Sequence, residues 1–295
     1  MKKVIVTIPA YNEAKSISPV IARIHSVMKQ EKYYYQILVV DDGSKDETAE
    51  VSKQAGAIVF SHQTNMGLAE TFRTEVQRCL AMKADIILHI DADGQYKAEE
   101  IPLLLRGIEQ GYDLVLGSRF KGTIEEMPAL KRWGNNAFSN VISKIIGRRI
   151  SDCQTGFRAF HAELARKVVV RSTYTYTQEQ IIRAAKEKFR ILEVPVYFAR
   201  RDGESRLMKH PFEYAIKAWI NIFRIYRDYQ PLKFFGTFGL SFLIIGALLS
   251  LYVLVNTFAI GKLVHLATLL IGILSILVGV QILLFGFLAD MWREY

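Results

Sequence analysis

Two carboxylates stand one residue apart in Asp91-Ala92-Asp93-Gly94-Gln95, directly after the apolar run DIILHI at 85–90. The run predicts a buried central strand. Acidic side chains at the carboxyl end of such a strand lie where open α/β sheets bind ligands. A buried carboxylate pair is costly unless a cation neutralises it, so the spacing favours a divalent metal that holds a phosphorylated substrate. A surface turn is the alternative, because Asp and Gly also favour turns.

The elements that must position these carboxylates alternate between strand and helix patterns over residues 4–116. Such alternation predicts a parallel, doubly wound sheet. We expect Pro9 to end the first strand, and Ser44-Lys45-Asp46-Glu47 has the spacing of a capping box that begins a helix. The predicted strands cover 4–8, 36–40, 57–60, 85–90 and 114–116, and the predicted helices cover 17–28, 68–81 and 99–109.

The C-terminal part of the chain is apolar. Residues 234–261 and 263–289 contain no Asp, Glu, Lys or Arg, and each stretch exceeds the ~20 residues that a helix needs to cross a bilayer. Two such stretches, separated only by Lys262, predict a transmembrane hairpin. Arg224, Arg227 and Lys233 precede the first span and Arg293 follows the second, so the positive-inside tendency predicts that both flanks are cytoplasmic.

Residues 211–229 predict a separate amphipathic helix before the first span. Aromatic and apolar residues recur at helical spacing, while polar residues fall on the other face. Such a helix next to a membrane span favours a position in the membrane interface, although packing on the globular part is the alternative. The apolar face consists of Phe212, Ala215, Ile216, Trp219, Phe223 and Tyr226, and the polar face of Glu213, Lys217, Asn221, Arg224 and Asp228.

Composition narrows the class of protein. The net charge is +9, but the basic residues concentrate at 119–149 and 200–233, beside the membrane segments, which favours lipid headgroups or a phosphate substrate over nucleic acid. Only Cys79 and Cys153 occur, so no disulfide framework is implied. Met1-Lys2-Lys3 leads directly into the first strand, so we expect no signal peptide. No dinucleotide-type glycine motif and no Walker loop is present.

Several short motifs, in a particular order along the chain, are similar to those of a known protein family. Together they resemble family 2 glycosyltransferases of the GT-A fold, and within them the polyprenyl-phosphate glycosyltransferases, which include dolichyl-phosphate sugar synthases. The resemblance covers residues 4–208 and implies a mostly parallel, Rossmann-like α/β sheet with helices on both faces. The motifs are IPAYNE at 8–13, VVDDGS at 39–44, DADGQ at 91–95, GSRF at 117–120, DCQTGFR at 152–158, EVPV at 193–196 and GESRL at 203–207.

The resemblance implies a nucleotide pocket and a metal site. Asp91 and Asp93, with Gln95, would hold Mg²⁺ or Mn²⁺ against the sugar-nucleotide diphosphate, because such cations prefer hard oxygen ligands. His89 alternates with Asp91 along the strand, and we expect it to be a core histidine rather than a ligand. The nucleotide pocket would be lined by Pro9, Ala10, Tyr11, Glu13, Asp42 and Asp91.

An acceptor phosphate makes the late arginines important, because a guanidinium matches phosphate oxygens bidentately. The candidates for contact with the acceptor phosphate are Arg119, Arg132, Arg200 and Ser205, and we expect Arg119 and Arg200 to act beside Asp91 and Asp93 in catalysis. Either Lys131 with Asn135 or Arg132 with Asn136 matches the family's basic and small polar pair. Solvated surface arginines are the alternative. Asp152 is expected to orient neighbouring groups, or to act as a base if the acceptor is a sugar.

The sequence thus predicts a metal-dependent inverting transferase. It would move one sugar from a UDP- or GDP-linked donor to a polyprenyl or dolichyl phosphate at the cytoplasmic membrane face. We expect a catalytic domain at 1–208, a juxtamembrane helix at 209–232 and a membrane hairpin at 233–295. Alternatives are a glycan synthase with a saccharide acceptor, although Lys131-Arg132-Trp133 lacks the glutamine of that group's motif, and a non-catalytic membrane-anchored binding protein. The sugar, the lipid length and whether the chain forms a homo-oligomer stay open.

Overall fold

The computed structural model describes residues 1–171, 176–200, 211–262 and 265–292. These residues form a mixed α/β unit, Met1–Tyr214, and a second, helical unit, Ala215–Tyr295. The first unit contains one sheet in its described part. Its strands are β1 (Lys3–Ala10), β2 (Tyr34–Asp41), β3 (Ile58–Ser61), β4 (Ile86–His89), β5 (Leu114–Ile124), β6 (Arg158–His161) and β7 (Ile191–Phe198).

Two helices of the first unit, α1 (Ile17–Met28) and α3 (Leu68–Ala81), have the predicted bounds. A short 3-10 turn at Ala98–Glu100 precedes α4 (Ile101–Glu109), which lies within the predicted helix at 99–109. The helices of both units are α1 (Ile17–Met28), α2 (Thr48–Gln54), α3 (Leu68–Ala81), α4 (Ile101–Glu109), α5 (Ala129–Ile146), α6 (Ala162–Lys167), α7 (Thr177–Lys186), α8 (Pro211–Tyr229), α9 (Pro231–Ile260) and α10 (Leu266–Met291).

The sheet has the strand order β3-β2-β1-β4-β6-β5-β7. β1 pairs in parallel with β2 and β4, and β5 pairs in parallel with β7. β6 runs antiparallel to both β4 and β5. The expectation of a mostly parallel sheet is therefore confirmed. Alternate residues of β1, Val4, Val6 and Ile8, share a buried core with apolar residues of α1 and α4, while α3 contacts β1 and β2.

Pro9 does not end the first strand, contrary to the prediction. β1 continues to Ala10, and Pro9 is paired in register with Val40 of β2. On its other side β1 pairs with β4 only as far as Thr7. Beyond Thr7 the strand has one neighbour, and a proline is tolerated at such an edge because the ladder there needs no N–H from it.

The predicted capping box is also wrong. The α2 helix begins at Thr48, and its N-cap residue, Glu47, makes no side-chain cap hydrogen bond. Instead Asp46 Oδ1 accepts the backbone N–H of Thr48 at 3.1 Å. Ser44 is occupied elsewhere, because its hydroxyl accepts a hydrogen bond from the loop after β1. A competing tertiary hydrogen bond has therefore replaced a local one.

The second unit contains the two long apolar helices that the sequence predicts, α9 and α10. Only 17% of the most apolar window of each helix is buried, so neither is a covered core helix of the described chain. They pack through glycines, since a Cβ at Gly246 would lie 2.6 Å from the Gly272 carbonyl and one at Gly239 would lie 2.9 Å from the Gly279 carbonyl. Close approach at small residues is typical of membrane helix pairs. The pair fits membrane anchoring.

Candidate active site

The candidate site lies at the carboxyl edge of the parallel strands. β1, β2 and β4 are neighbours that run in the same direction, so the loops that leave their ends meet at one edge. The strand ends and the loops that follow them contain the first motif at 8–13, Asp41 with Asp42, and Asp91 with Asp93. Tertiary structure thus brings together three predicted segments that are 30 to 80 residues apart in sequence.

The loops after β1 and β2 are joined to each other by hydrogen bonds. The backbone N–H of Asn12 donates to Ser44 Oγ at 2.8 Å, and Asn12 Oδ1 accepts the backbone N–H of Lys45 at 2.8 Å. The N–H of Glu13 donates to Thr48 Oγ1 at 2.8 Å. Asn12 has a φ of +55°, a left-handed conformation that Asn tolerates better than most residues. The loop that carries the predicted nucleotide residues Tyr11 and Glu13 is therefore fixed in place, directly after Pro9 and Ala10 at the end of β1.

Asp42 is buried and fully engaged by the protein. It is 5% exposed, and its two oxygens accept the backbone N–H groups of Met66 at 2.8 Å and Gly67 at 2.9 Å. His62 Nδ1 lies 2.8 Å from Asp42 Oδ1. Asp42 was predicted to line the nucleotide pocket, and that role stays a prediction. What its contacts do is hold the 62–67 segment against the end of β2.

Gly43 explains how that segment can come so close. It has a φ of +72°, and a Cβ built there would lie 2.6 Å from the carbonyl carbon of Thr64. A side chain would therefore meet backbone that cannot easily move, and the positive φ would strain any other residue. The Asp-Asp-Gly sequence serves two purposes: the second carboxylate binds the neighbouring loop, and the glycine lets that loop approach.

Asp91, Asp93 and Gln95 form a more open group at the end of β4. The Asp91 side chain is 36% exposed. Asp93 Oδ1 accepts the backbone N–H of Gln95 at 3.1 Å, and the side-chain amide of Gln95 donates to the Ala199 carbonyl at 3.0 Å. Because the Gln95 nitrogen is used in this way, its Oε1 is the atom that a cation would use.

A glycine from a distant motif lies directly against Asp91. A Cβ built at Gly156 would lie 2.6 Å from Asp91 Oδ1 and 2.7 Å from Oδ2. Gly156 is buried, and any larger residue would have to displace the carboxylate. The segment is held by Arg158, whose guanidinium donates to the Thr155 carbonyl and, at 2.8 Å, to Gln180 Oε1. The TGFR motif therefore positions a carboxylate that lies 65 residues before it.

These residues suit a divalent metal that is shared with a substrate. Among the described residues no group of three or more His, Cys, Asp and Glu side chains forms a complete metal site. Asp91, Asp93 and Gln95 offer hard oxygens from one loop, and Asp91 is accessible. Mg²⁺ is usually bound through one or two carboxylates, with the remaining positions taken by water and substrate phosphates. A partial donor set of this kind fits such a cation.

His89 is buried in a charged network that the sequence did not reveal. Its Nδ1 lies 2.9 Å from Glu75 Oε2, and its Nε2 lies 2.8 Å from the Tyr176 hydroxyl and 3.7 Å from Asp91 Oδ1. Burial favours the neutral ring, but the Glu75 and Asp91 carboxylates together outweigh this and raise the pKa of His89 to about 9. Glu75 itself is fully buried on α3. The expected core histidine thus lies between two carboxylates, which favour its protonated form.

Arg119 is a buried member of an ion pair. It is 5% exposed and lies within β5, and its Nε and one terminal nitrogen donate to the two carboxylate oxygens of Asp152 at 2.7 and 2.8 Å. The Arg119 backbone N–H donates to Asp152 as well, at 3.0 Å. Asp152 is fully buried. Its hydrogen bonds fix the orientation of Arg119, which matches the expectation that Asp152 orients neighbouring groups. The Arg119 guanidinium also lies 5.1 Å from the Phe198 ring centre.

The other predicted acceptor residues differ in exposure. Arg132 and Asn136 are exposed on α5, whereas Asn135 is buried. The Arg200 side chain is 75% exposed, and its Nε lies 2.9 Å from Glu126 Oε2. Ser205, with Arg201 and Arg206, lies outside the described residues. The structure therefore places Arg119 inside the protein and leaves Arg132 and Arg200 on its surface.

Comparisons with known proteins agree with this architecture. Residues 5–171 match the family model described as Glycosyl transferase family 2. Glycosyltransferase AglJ of Haloferax volcanii is 30% identical over 96% of this chain and 91% of its own length. The dolichyl-phosphate hexose transferase of the same organism is 33% identical over 68% of this chain and 85% of its own.

A solved structure supports the fold. Glucosyl-3-phosphoglycerate synthase from Mycobacterium tuberculosis, in complex with Mn²⁺, UDP and glucosyl-3-phosphoglycerate, superimposes with a TM-score of 0.57 at 18% identity. The match covers 75% of this chain and 80% of that one. The family model spans more than half of the present sequence, and the first relative matches it almost end to end. The chain belongs to glycosyl transferase family 2.

Proposed function

We propose that the protein transfers a single sugar, with inversion, from a UDP- or GDP-linked donor to a polyprenyl or dolichyl phosphate. The family match and the similarity to a dolichyl-phosphate hexose transferase support this reaction class. The observation that carries it is the Asp91 carboxylate, partly exposed at the carboxyl edge of the sheet and held in contact with Gly156.

The donor nucleotide would lie on the loops after β1 and β2. The residues proposed for it are Pro9, Ala10, Tyr11, Glu13, Asp42 and Asp91. The hydrogen bonds of Asn12 to Ser44 and Lys45, and that of Glu13 to Thr48, order this surface before the donor arrives. A preordered loop loses less conformational entropy on binding. Asp42 would act here mainly by fixing the loop, since its oxygens already accept two backbone N–H groups.

Asp91, Asp93 and Gln95 would hold Mg²⁺ or Mn²⁺ against the donor diphosphate. A bound cation of this kind stabilises the negative charge that develops on a leaving diphosphate. The protein's own part is to keep the Asp91 carboxylate in one position. Gly156 limits its movement on one side, and His89 lies 3.7 Å from Oδ1. A catalytic group held in this way does not have to be reoriented during the reaction.

The lipid phosphate would be the nucleophile. One of its oxygens forms the new bond to the anomeric carbon while the bond from that carbon to the nucleoside diphosphate breaks. A phosphate monoester is anionic near neutral pH, so it needs positioning more than a general base. Arg119, Arg132, Arg200 and Ser205 are proposed to provide it. Asp152 accepts two of the guanidinium N–H groups of Arg119, and a guanidinium has five.

The two apolar helices would anchor the enzyme in the membrane that contains this lipid acceptor. We propose a catalytic domain at 1–208, a juxtamembrane helix at 209–232 and a hairpin at 233–295 that crosses the membrane twice. The basic residues that flank the spans favour a cytoplasmic catalytic domain. A long-chain polyprenyl phosphate stays in the bilayer with its phosphate at the surface, so an anchored enzyme meets it without extracting the lipid.

The test uses membranes that contain the full chain, polyprenyl phosphate and labelled UDP- or GDP-sugars, with and without EDTA. We expect a labelled product that partitions into chloroform and that disappears with EDTA or in Asp93→Ala. Expression and membrane insertion of that variant should be normal. Label in a water-soluble saccharide would indicate a glycan synthase instead, and no product from any donor would contradict the proposal.

A further inference from the structure

Four large apolar side chains of α8, here called the apolar stripe, are exposed. The side chains of Ile216, Trp219, Ile220 and Phe223 are 44 to 50% exposed, although each is large and apolar. They recur at spacings of three and four residues, so they lie on one side of the helix. The part of the second unit that the structure describes leaves these four side chains exposed.

The stripe forms one wall of a cavity of about 440 Å³. Trp219 and Phe223 line it from α8, and Phe234 lines it from the first turn of α9. The rings of Phe223 and Phe234 meet edge to face, with centres 5.9 Å apart. All of these residues belong to the second unit. The cavity therefore lies where the amphipathic helix meets the first apolar helix.

Two arginines line the same cavity. Arg224 and Arg227 are both exposed, and Arg227 Nε lies 2.7 Å from Asp228 Oδ1. Arg224 forms no salt bridge within the described part of the chain. The sequence pattern placed Arg224 on the polar face, away from Phe223, but the structure puts it beside the aromatic wall. A long arginine side chain can lie along an apolar surface while its charged end stays in water.

We infer that this cavity binds one anionic phospholipid of the surrounding bilayer. Arg224 and Arg227 pair with the lipid phosphate. The part of an acyl chain nearest to the headgroup lies against Trp219, Phe223 and Phe234. The guanidinium matches phosphate oxygens in geometry and charge, and aromatic rings at the membrane surface are suited to an occupant that is polar at one end. Phe234 extends the cavity to the first turn of α9, the proposed first membrane span. The inference does not depend on the proposed chemistry.

The test is lipid binding to the full-length protein in detergent, measured by native mass spectrometry. Phosphatidylglycerol and phosphatidylcholine with the same acyl chains are titrated in parallel. We expect the wild type to prefer phosphatidylglycerol, and Arg224→Gln to weaken that binding about fivefold. Phosphatidylcholine binding should weaken less, because its ammonium group already compensates the phosphate charge. Trp219→Ala should weaken the binding of both lipids, because it removes part of the apolar wall of the cavity. Thermal unfolding establishes that each variant is folded.

Lys233→Gln is the matched control. Lys233 is exposed and basic in the first turn of α9, but it does not line the cavity. If Lys233→Gln weakened phosphatidylglycerol binding as much as Arg224→Gln, a general surface charge would explain the preference and the inference would be wrong. Equal affinity of the wild type for both lipids would overturn it too. A dimer that Trp219→Ala dissociates, with no lipid bound, would identify the stripe as a contact between copies.

Discussion

The loops after β2 and β4 carry similar aspartate motifs, and the protein uses them differently. Asp42 is 5% exposed, and both of its oxygens accept backbone N–H groups from a neighbouring loop. The Asp91 side chain is 36% exposed and is limited by a glycine that leaves its carboxylate open on another side. One carboxylate holds the protein together, and the other is available to a ligand.

The difference shows what makes an acidic residue a candidate for catalysis. Hydrogen bonds to backbone N–H groups satisfy a buried carboxylate and fix the loops around it. A carboxylate that keeps accessible oxygens in a fixed position has bonding capacity left for a cation or substrate. The same contrast applies to cations at this edge, because Arg119 is paired inside the protein with Asp152, whereas Arg200 is exposed.

The largest expected effect is that of Asp91→Asn on transfer. Loss of one carboxylate from the metal-binding loop should lower kcat at least about 10²-fold, since a cation supplies several kcal/mol of charge stabilisation. The measurement is the chloroform-soluble product at saturating donor and lipid. Asp85→Asn, at the exposed amino end of the same strand segment, should retain activity. Full activity of Asp91→Asn would remove the distinction between the two loops.

Gly156→Ala should be the next most severe change. Its Cβ would lie 2.6 Å from Asp91 Oδ1, so the carboxylate must move. A displacement of about 1 Å at a catalytic group costs about 10²-fold in rate. Titration with Mn²⁺ in the presence of UDP, followed by electron paramagnetic resonance, should show weaker metal binding. Gly236→Ala is the control, because nothing lies within 4 Å of its added Cβ. Unchanged Mn²⁺ affinity in Gly156→Ala would contradict the positioning role.

Asp42→Asn should act on stability rather than on the chemical step. The amide has one acceptor oxygen where Met66 and Gly67 each donate an N–H to a separate oxygen. The unsatisfied buried donor should lower the free energy of unfolding by about 1–3 kcal/mol. Thermal unfolding in detergent measures this, with Asp91→Asn as the comparison. If Asp91→Asn were the more destabilised of the two, the assignment of structural and functional carboxylates would be reversed.

Arg200→Gln should have the smallest effect on stability. Its ion pair with Glu126 is on the surface, and such pairs contribute less than about 1 kcal/mol. If Arg200 contacts the acceptor, KM for the polyprenyl phosphate should rise while KM for the donor stays the same. Lys29→Gln, an exposed basic residue in the first unit, is the control. An unchanged KM for the lipid would exclude Arg200 from acceptor binding.

Much of the fold was predictable because periodicity is a local property. The bounds of α1, α3 and α8, the order of the first strands and the two apolar helices all follow from patterns within a few turns of chain. The errors came where a distant partner intervened. Pro9 continues β1 because the strand has only one neighbour at that point. The Ser44 hydroxyl accepts a hydrogen bond from the Asn12 backbone N–H and does not cap α2 as predicted.

The candidate site was predictable as a set of motifs but not as a set of contacts. Nothing in the sequence around His89 indicates that Glu75 and Tyr176 surround it. Likewise the choice between Lys131 and Arg132 cannot be made from spacing. In the structure Arg132 and Asn136 are exposed while Asn135 is buried, so the two candidate pairs lie in different surroundings.

The sequence by itself determined the class of the molecule: a family 2 glycosyltransferase domain followed by two apolar helices. Its motifs also identified the strand ends at which chemistry would occur. Only the tertiary structure decided which groups are already used by the protein, as Asp42 and Arg119 are, and which stay accessible, as Asp91 does. The physical reason is that hydrogen bonds and close contacts join residues far apart in the chain. Gly156 contacts Asp91, and Asp152 contacts Arg119, only in the folded structure.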